Sequence, residues 1–121
     1  MMKMRVKFMD LRVQEPIESK KLLAVFNRVM DHGQFIMGRE VHDFEDAFSK
    51  YIGSKFAIAV SNGTAALHLS VLALNLKPGD KVITTPNTFV ASANCIRYCG
   101  GEVVFSDIDP STYLLDIDKV R

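Results

Sequence analysis

The sequence predicts an α/β fold in which a βαβαβ unit builds a largely parallel sheet. Short apolar runs alternate with segments whose apolar residues recur at helical spacing between residues 56 and 106. Turns containing glycine or proline separate the two kinds of segment. Parallel strands need helical crossovers, so a binding site is expected at the carboxyl ends of the predicted strands.

Two amphipathic helices are predicted first, in a helical region of about residues 15–52. In each of them apolar residues recur every three or four positions, and a glycine follows the last apolar residue. The first apolar face runs from Ile17 to Met30 and its helix stops at Gly33, whereas the second runs from Val41 to Tyr51 and stops at Gly53.

The βαβαβ unit follows within the same predicted domain. Its first strand is a continuous apolar run, which is typical of a strand covered on both faces. The strands are predicted at residues 56–60, 82–85 and 102–106, one helix carries Leu67, Val71 and Leu74, and the other runs from Phe89 to Cys99.

Composition and charge exclude several classes of partner. Fifteen Lys and Arg against fourteen Asp and Glu give a net charge of +1, so no long-range field attracts nucleic acid or an anionic membrane. No apolar run approaches the roughly 20 residues that cross a bilayer, and the N-terminus does not resemble a signal peptide. We therefore expect a small molecule or a protein as partner.

The cysteines and histidines predict no metal site. Cys95 and Cys99 lie four residues apart in a predicted helix, and the three histidines are scattered along the chain. A metal centre would need further ligands at close spacing. Two buried or half-buried free thiols are expected, which fits a reducing cytoplasm.

The segment from Val60 to Leu67 predicts an anion site, because a strand turns through Gly63 directly into a helix. The first amide groups of a helix lack internal acceptors, and the helix dipole adds positive potential there. Gly63 allows close approach, Thr64 adds a hydroxyl donor, Ala65 keeps a phosphate near the backbone, and Asn62 supports the turn.

Other interpretations of this segment stay open. It is also compatible with a tight turn in which Thr64 caps the helix. A nucleotide phosphate at Gly63 to Ala65 is a further alternative, although the G-x-G-x-x-G and G-K-[ST] patterns of dinucleotide folds and P-loops are both absent.

Phe89 follows the next predicted strand, where its flat apolar face is available to stack on an aromatic cofactor held at Thr64 and Ala65. Core packing is the alternative role for this ring. Two carboxylates, Asp107 and Asp109, follow the third strand, and we expect them to cap or turn the chain before Pro110 rather than to act as acid and base.

Five sequence blocks recur in a fixed order along almost the whole chain. They are Phe8-Met9-Asp10-Leu11, Gly38-x-x-Val41-x-x-Phe44-Glu45, Ala57 to Leu67, Thr88-Phe89-Val90-Ala91-Ser92-Ala93-Asn94 and Phe105-x-Asp107-Ile108-Asp109-Pro110. Together they resemble the DegT/DnrJ/EryC1/StrS aminotransferases. The ordered set is much more specific than any single block.

This resemblance implies the N-terminal part of a fold-type-I large domain that binds pyridoxal 5'-phosphate. Thr64 and Ala65 would hold the cofactor phosphate, Phe89 would stack on its ring, and Asn62 and Gly63 would shape the loop. The implied activity is transfer of an amino group, usually from glutamate, to a nucleotide-linked keto-sugar in a homodimer with its active site at the interface.

The resemblance also implies that the Schiff-base lysine and the aspartate that pairs with the pyridine nitrogen lie beyond residue 121. All nine lysines of the chain are expected to be solvated, and the chain alone is expected to be inactive. Two alternatives therefore stay open. One is a sugar dehydratase with histidine in place of that lysine, and the other is a non-catalytic binding or regulatory module.

Overall fold

The structure is a computed structural model that describes residues 8–12 and 15–120. It divides into two compact units, residues 1–59 and residues 60–121.

The first unit contains two helices, α1 at Pro16–His32 and α2 at Arg39–Ile52. Proline at the start of α1 suits a position whose N–H would have no helical acceptor. Both helices end at a glycine in the left-handed region, with φ of 71° at Gly33 and at Gly53. The two predicted helices and both stop signals are confirmed.

The connection between α1 and α2 is tightly folded. Arg28 donates to Glu40 across the two helices with an Nε to Oε1 distance of 2.9 Å, and His32 Nε2 lies 3.3 Å from Glu40 Oε2. Gly38 is buried, and a Cβ atom placed there would lie 2.6 Å from the backbone oxygen of Gln34. Only glycine fits this approach without moving the loop.

The second unit alternates helices and strands. Its two strands, β1 at Lys81–Thr84 and β2 at Glu102–Phe105, are parallel neighbours, paired in register from Lys81 opposite Glu102 to Thr84 opposite Phe105. Its elements are α3 at Gly63–Leu72, β1 at Lys81–Thr84, α4 at Ala91–Tyr98, β2 at Glu102–Phe105 and a 3₁₀ helix at Ile117–Val120. The α/β fold class with a parallel sheet is confirmed.

The core of this unit lies under α4. Ala91, Cys95 and Ile96 are each less than 5% exposed, and α4 packs against α3, β1 and β2. Both cysteines are free, as predicted: Cys95 is buried and Cys99 half-buried. The helix thus joins the sheet to α3.

One predicted strand is not formed. Residues 56–60 belong to no strand among the described residues, and Phe56 and Ile58 are 72% and 82% exposed. The apolar run predicted burial on both faces, but a strand exists only when a neighbour pairs with its backbone groups. The described residues supply no such neighbour, so the sheet has two strands rather than three.

The described parts of the chain contain neither a candidate membrane-spanning helix nor a candidate metal site. No helix there has both the length and the apolar character to span a bilayer. No group of three or more His, Cys, Asp or Glu side chains is arranged to hold a metal ion in residues 8–12 and 15–120.

Candidate functional site

The start of α3 is capped by Asn62. Its backbone is extended, with φ −169° and ψ 173°, and its Oδ1 accepts a hydrogen bond of 2.9 Å from the Ala65 N–H. Its carbonyl oxygen accepts from the Ala66 N–H at 3.1 Å. The alternative in which Thr64 caps the helix is therefore wrong, because Asn62 occupies that role.

Two amide groups remain available at this helix end. The N–H groups of Gly63 and Thr64 find no acceptor among the described residues, and they lie at the positive end of the α3 dipole. The Ala65 N–H is already satisfied by Asn62. Any role of Ala65 toward a phosphate therefore rests on its small side chain.

A cleft of about 600 Å³ opens beside these amides. This volume is within the range of small-molecule sites. The Phe89 ring, which is 74% exposed, forms part of its wall. The lining residues are Gly63, Thr64, Ala66, Leu67, Ser70, Phe89 and Ala91.

The cleft brings together three of the five predicted site residues, namely Gly63, Thr64 and Phe89. Asn62 and Ala65 lie at the helix start but do not line the cleft. The two loops meet because α3 packs against α4, not because residues 56–60 pair with β1.

Four further wall residues were not predicted as site residues, namely Ala66, Leu67, Ser70 and Ala91. Ala66, Leu67 and Ser70 follow Gly63 at intervals of three, four and seven residues, which place them on one side of α3. This spacing is visible in the sequence. It could have identified the side of α3 that continues from Gly63 as part of the cleft wall.

Open space surrounds Gly63 on the cleft side. A Cβ atom added there would meet nothing within 4 Å, and its φ lies outside the left-handed region. Neither backbone conformation nor packing among the described residues therefore requires glycine at this position. The space is large enough for the oxygens of a ligand to reach the exposed amides.

The loop between β1 and α4 presents Phe89 at the carboxyl end of the parallel pair. Thr85 Oγ1 accepts from the Asn87 N–H at 3.1 Å, and the hydroxyls of Thr88 and Ser92 lie 3.0 Å apart. These local bonds satisfy polar groups on both sides of the ring, while the ring itself stays outside the core.

The carboxylates after β2 shape a turn, as predicted. Asp107 accepts from the Ile108 N–H at 2.8 Å, and Asp109 accepts from the Ser111 hydroxyl and N–H at 2.6 and 2.7 Å. The Ile108 N–H and then Lys119 lower the pKa of Asp107, and Ser111 lowers the pKa of Asp109. Groups held in the ionised form in this way are poor proton donors.

The seven described lysines, Lys119 among them, are exposed as predicted, whereas Lys3 and Lys7 lie outside the described residues. Lys119 also pairs with two carboxylates. Its Nζ lies 3.4 Å from Asp107 Oδ2 and 3.5 Å from Asp116 Oδ2, and its side chain is half exposed. The spacing of Asp116 and Lys119 allowed this pair, but Asp107 is brought near only by the turn. Lys119 therefore links the end of the segment that follows β2 to its beginning at Asp107.

Residues 16–121 match the model of the DegT/DnrJ/EryC1/StrS aminotransferase family. The chain belongs to this family. The match covers both units and includes the cleft, so the family predicted from the ordered blocks is confirmed.

One similar protein is a UDP-2-acetamido-2-deoxy-3-oxo-D-glucuronate aminotransferase of Pseudomonas aeruginosa. It is 42% identical to this chain over a region that covers 92% of this chain and 31% of the relative. A solved DegT/DnrJ/EryC1/StrS aminotransferase from Brucella abortus superposes with a TM-score of 0.88 at 33% identity, covering 96% of this chain and 31% of that one. The chain spans about a third of the length of these proteins.

A second solved neighbour carries a cofactor. It is the GDP-4-keto-6-deoxy-D-mannose-3-dehydratase of E. coli with bound hydrated pyridoxal phosphate, with a TM-score of 0.75 and 32% identity over 88% of this chain and 28% of that one. The cofactor predicted from the sequence is the one bound in this neighbour. Family members related to this chain thus include an aminotransferase and a dehydratase.

Proposed function

We propose that residues 1–121 form the N-terminal portion of the large, pyridoxal-phosphate-binding domain of a sugar aminotransferase. The intact protein, meaning the longest natural polypeptide that carries this chain, transfers an amino group to a nucleotide-linked keto-sugar. Glutamate is the proposed donor. The family membership and the aminotransferase relative support this assignment.

One observation carries the proposal: two unengaged amides and an exposed aromatic ring share one cleft. The amides of Gly63 and Thr64, together with the Thr64 hydroxyl, provide donors for phosphoryl oxygens. The Phe89 ring lies across the same space and offers a face for a heterocycle. A phosphorylated aromatic cofactor fits both features.

The chain's own residues bind and orient the cofactor. Pyridoxal phosphate supplies an electron sink for chemistry at an amino-bearing carbon once it is held by a lysine and by a partner for its ring nitrogen. The helix amides would hold the phosphate end and Phe89 would stack on the ring, which would orient the cofactor in the cleft. No lysine lines the cleft of the described residues, and the covalent attachment is assigned to residues after 121.

We propose a homodimer with its active site at the interface, as the family resemblance implies. We place the protein in the cytoplasm, because both cysteines are free thiols and a reducing compartment keeps them so.

The test is cofactor attachment in the intact protein. After incubation with pyridoxal phosphate and reduction with borohydride, we expect a stable absorbing adduct on the polypeptide, found by mass spectrometry on a lysine. A protein altered at both Thr64 and Phe89 to Ala should lose affinity for pyridoxal phosphate but not gain or lose affinity for NAD or ATP. Equal binding of all three ligands would contradict the proposal.

A sugar dehydratase is the second candidate, favoured by the solved dehydratase neighbour with bound cofactor. In that case histidine replaces the cofactor-binding lysine and borohydride leaves no adduct, although the cofactor still binds. Tight binding without an adduct therefore supports the dehydratase. A phosphate site with neither adduct nor turnover supports a non-catalytic module.

A further inference from the structure

Glu45 makes an unusual bond from the middle of α2. Its Oε1 accepts from the backbone N–H of Ala59 at 2.7 Å, across fourteen residues of sequence, and the bond is partly buried. The Glu45 side chain is only 18% exposed. A carboxylate bond to a backbone N–H is roughly twice as strong as a neutral one, so this contact is a firm anchor.

The anchored segment has little other support. Residues 56–60 are in no ladder among the described residues, although their sequence is that of a buried strand. Apart from the Glu45 bond, the backbone of this run accepts a hydrogen bond of 2.8 Å at the Phe56 carbonyl from the Ser54 hydroxyl. The Glu45 carboxylate thus satisfies an N–H that a neighbouring strand would otherwise satisfy.

The second carboxylate oxygen has its own partner. His42 lies one turn earlier on α2, and its Nδ1 is 3.4 Å from Glu45 Oε2. One oxygen therefore faces His42 while the other faces Ala59. This division keeps the carboxylate oriented toward the extended segment.

We propose that Glu45 is a positioning residue of the cofactor site, an inference that rests on the proposed function. Ala59 stands three residues before Asn62, a stretch that spans at most about 11 Å of chain. Holding the Ala59 backbone restricts the conformations of the loop that must present the Gly63 and Thr64 amides. When the competent conformation is less populated, apparent cofactor affinity falls by the same factor.

The test compares three Glu45 variants in the intact protein. Glu45→Gln keeps an oxygen acceptor at the same reach, Glu45→Asp keeps the charge but shortens the side chain, and Glu45→Ala removes both. We expect the Kd for pyridoxal phosphate to rise about tenfold, equivalent to about 1.4 kcal/mol, for Glu45→Ala and Glu45→Asp, and about twofold or less for Glu45→Gln.

The ³¹P resonance of bound cofactor reports the phosphate environment directly. We expect it to shift in Glu45→Asp and to stay near the unaltered position in Glu45→Gln. Asp43→Ala is the matched control, since Asp43 lies on the same helix with a 64% exposed side chain and pairs with Arg39 at 3.6 Å. It should change neither the Kd nor the resonance.

The possible outcomes separate the two proposals. If the unaltered protein does not bind pyridoxal phosphate, the proposed function fails. If it binds, but Glu45→Asp retains full affinity and an unshifted resonance, the positioning role is overturned. The role is also overturned if Glu45→Gln weakens binding as much as Glu45→Ala, because an acceptor oxygen kept at the same reach would then not hold the loop. Lower thermal stability without a change in Kd indicates a structural role only and likewise overturns it.

Discussion

At the residue scale, two neighbouring residues at the beginning of α3 have different roles: Asn62 caps the helix, and Gly63 borders the cleft. Asn62 satisfies the Ala65 amide and so stabilises the helix start. Gly63 has open space and no left-handed φ, so the fold does not need its missing side chain. Stability and binding can therefore be altered separately at these two residues.

Replacing Gly63 with Ala should leave folding intact and weaken cofactor binding. Alanine favours a helix by up to about 1 kcal/mol over glycine, so the free energy of unfolding without cofactor should be unchanged or higher. A Cβ atom at the cleft should obstruct the phosphate and raise the Kd for pyridoxal phosphate about tenfold or more. Pyridoxal, which lacks the phosphate, is the control ligand, and its Kd should not change. Equal losses for both ligands would argue against a phosphate contact.

Replacing Asn62 with Asp should preserve the helix cap while repelling the phosphate. Asp and Asn are equally good caps, so urea unfolding of the cofactor-free protein should be unaltered, whereas Asn62→Ala should cost about 1 kcal/mol. The added negative charge lies beside the proposed phosphate position and should weaken pyridoxal phosphate binding, more at low salt than at high salt. Unchanged affinity in Asn62→Asp at low salt would place the phosphate elsewhere.

At the scale of elements, two short connections set the geometry of their units. The loop from α1 to α2 depends on close backbone approach at Gly38. The segment after β2 depends on carboxylates held in their ionised form by backbone amides, a hydroxyl and Lys119. The α1 to α2 loop is therefore sensitive to side-chain volume at Gly38, and the segment after β2 is sensitive to pH.

Replacing Gly38 with Ala should destabilise the α1 to α2 connection. The new Cβ would lie 2.6 Å from a backbone oxygen that cannot rotate away, so the loop must shift. Overpacking of this kind typically costs about 1–3 kcal/mol, measured as a lower urea midpoint with the far-ultraviolet signal retained. Gly63→Ala is the control and should show no loss. A Gly38→Ala protein of full stability would mean that the loop adapts freely.

The turn after β2 should be stable at neutral pH and loosen in acid. The folded-state pKa of Asp107 and of Asp109 is lowered, so their stabilising contribution is present above the unfolded value of about 4 and is lost as pH falls through the folded values. Carboxyl ¹³C titration by NMR should show both pKa values below those of a model peptide. Lys119→Gln should move the Asp107 value upward and leave Asp109 less affected. If both carboxyl groups titrated like those of a model peptide, the turn would not contribute to the loss of stability in acid.

At the scale of the whole molecule, each unit exposes much apolar surface. In the first unit neither helix has a buried residue. In the second, the described core comprises only Ala91, Cys95 and Ile96. Hydrophobic burial is the main favourable term in folding, so such sparse burial predicts low stability for these 121 residues alone.

The 121-residue chain expressed alone should aggregate. Large apolar side chains such as Phe26, Phe56 and Ile58 are more than half exposed, and the backbone of residues 56–60, which pairs with no strand among the described residues, favours association between chains. We expect strong binding of a hydrophobic dye and no cooperative thermal transition, with the intact protein as the control. A monomer that melts cooperatively would contradict this expectation.

Most elements followed from local patterns. The helical faces from Ile17 to Met30 and from Val41 to Tyr51 predicted α1 and α2 to within a few residues, because periodicity and glycine stops are local signals. The run at 56–60 was misassigned because apolar character reports a tendency to be buried and cannot reveal whether a partner strand is present.

The sequence by itself determined the family, the helix stops and the residues that begin α3. Only the tertiary structure decided that Phe89 faces the same cleft as Gly63 and Thr64, that Lys119 closes on Asp107, and that Glu45 reaches Ala59. The reason is physical: caps and periodic faces depend on residues within a turn or two. Contacts across twelve or more residues depend on how helices and strands pack, which no local pattern encodes.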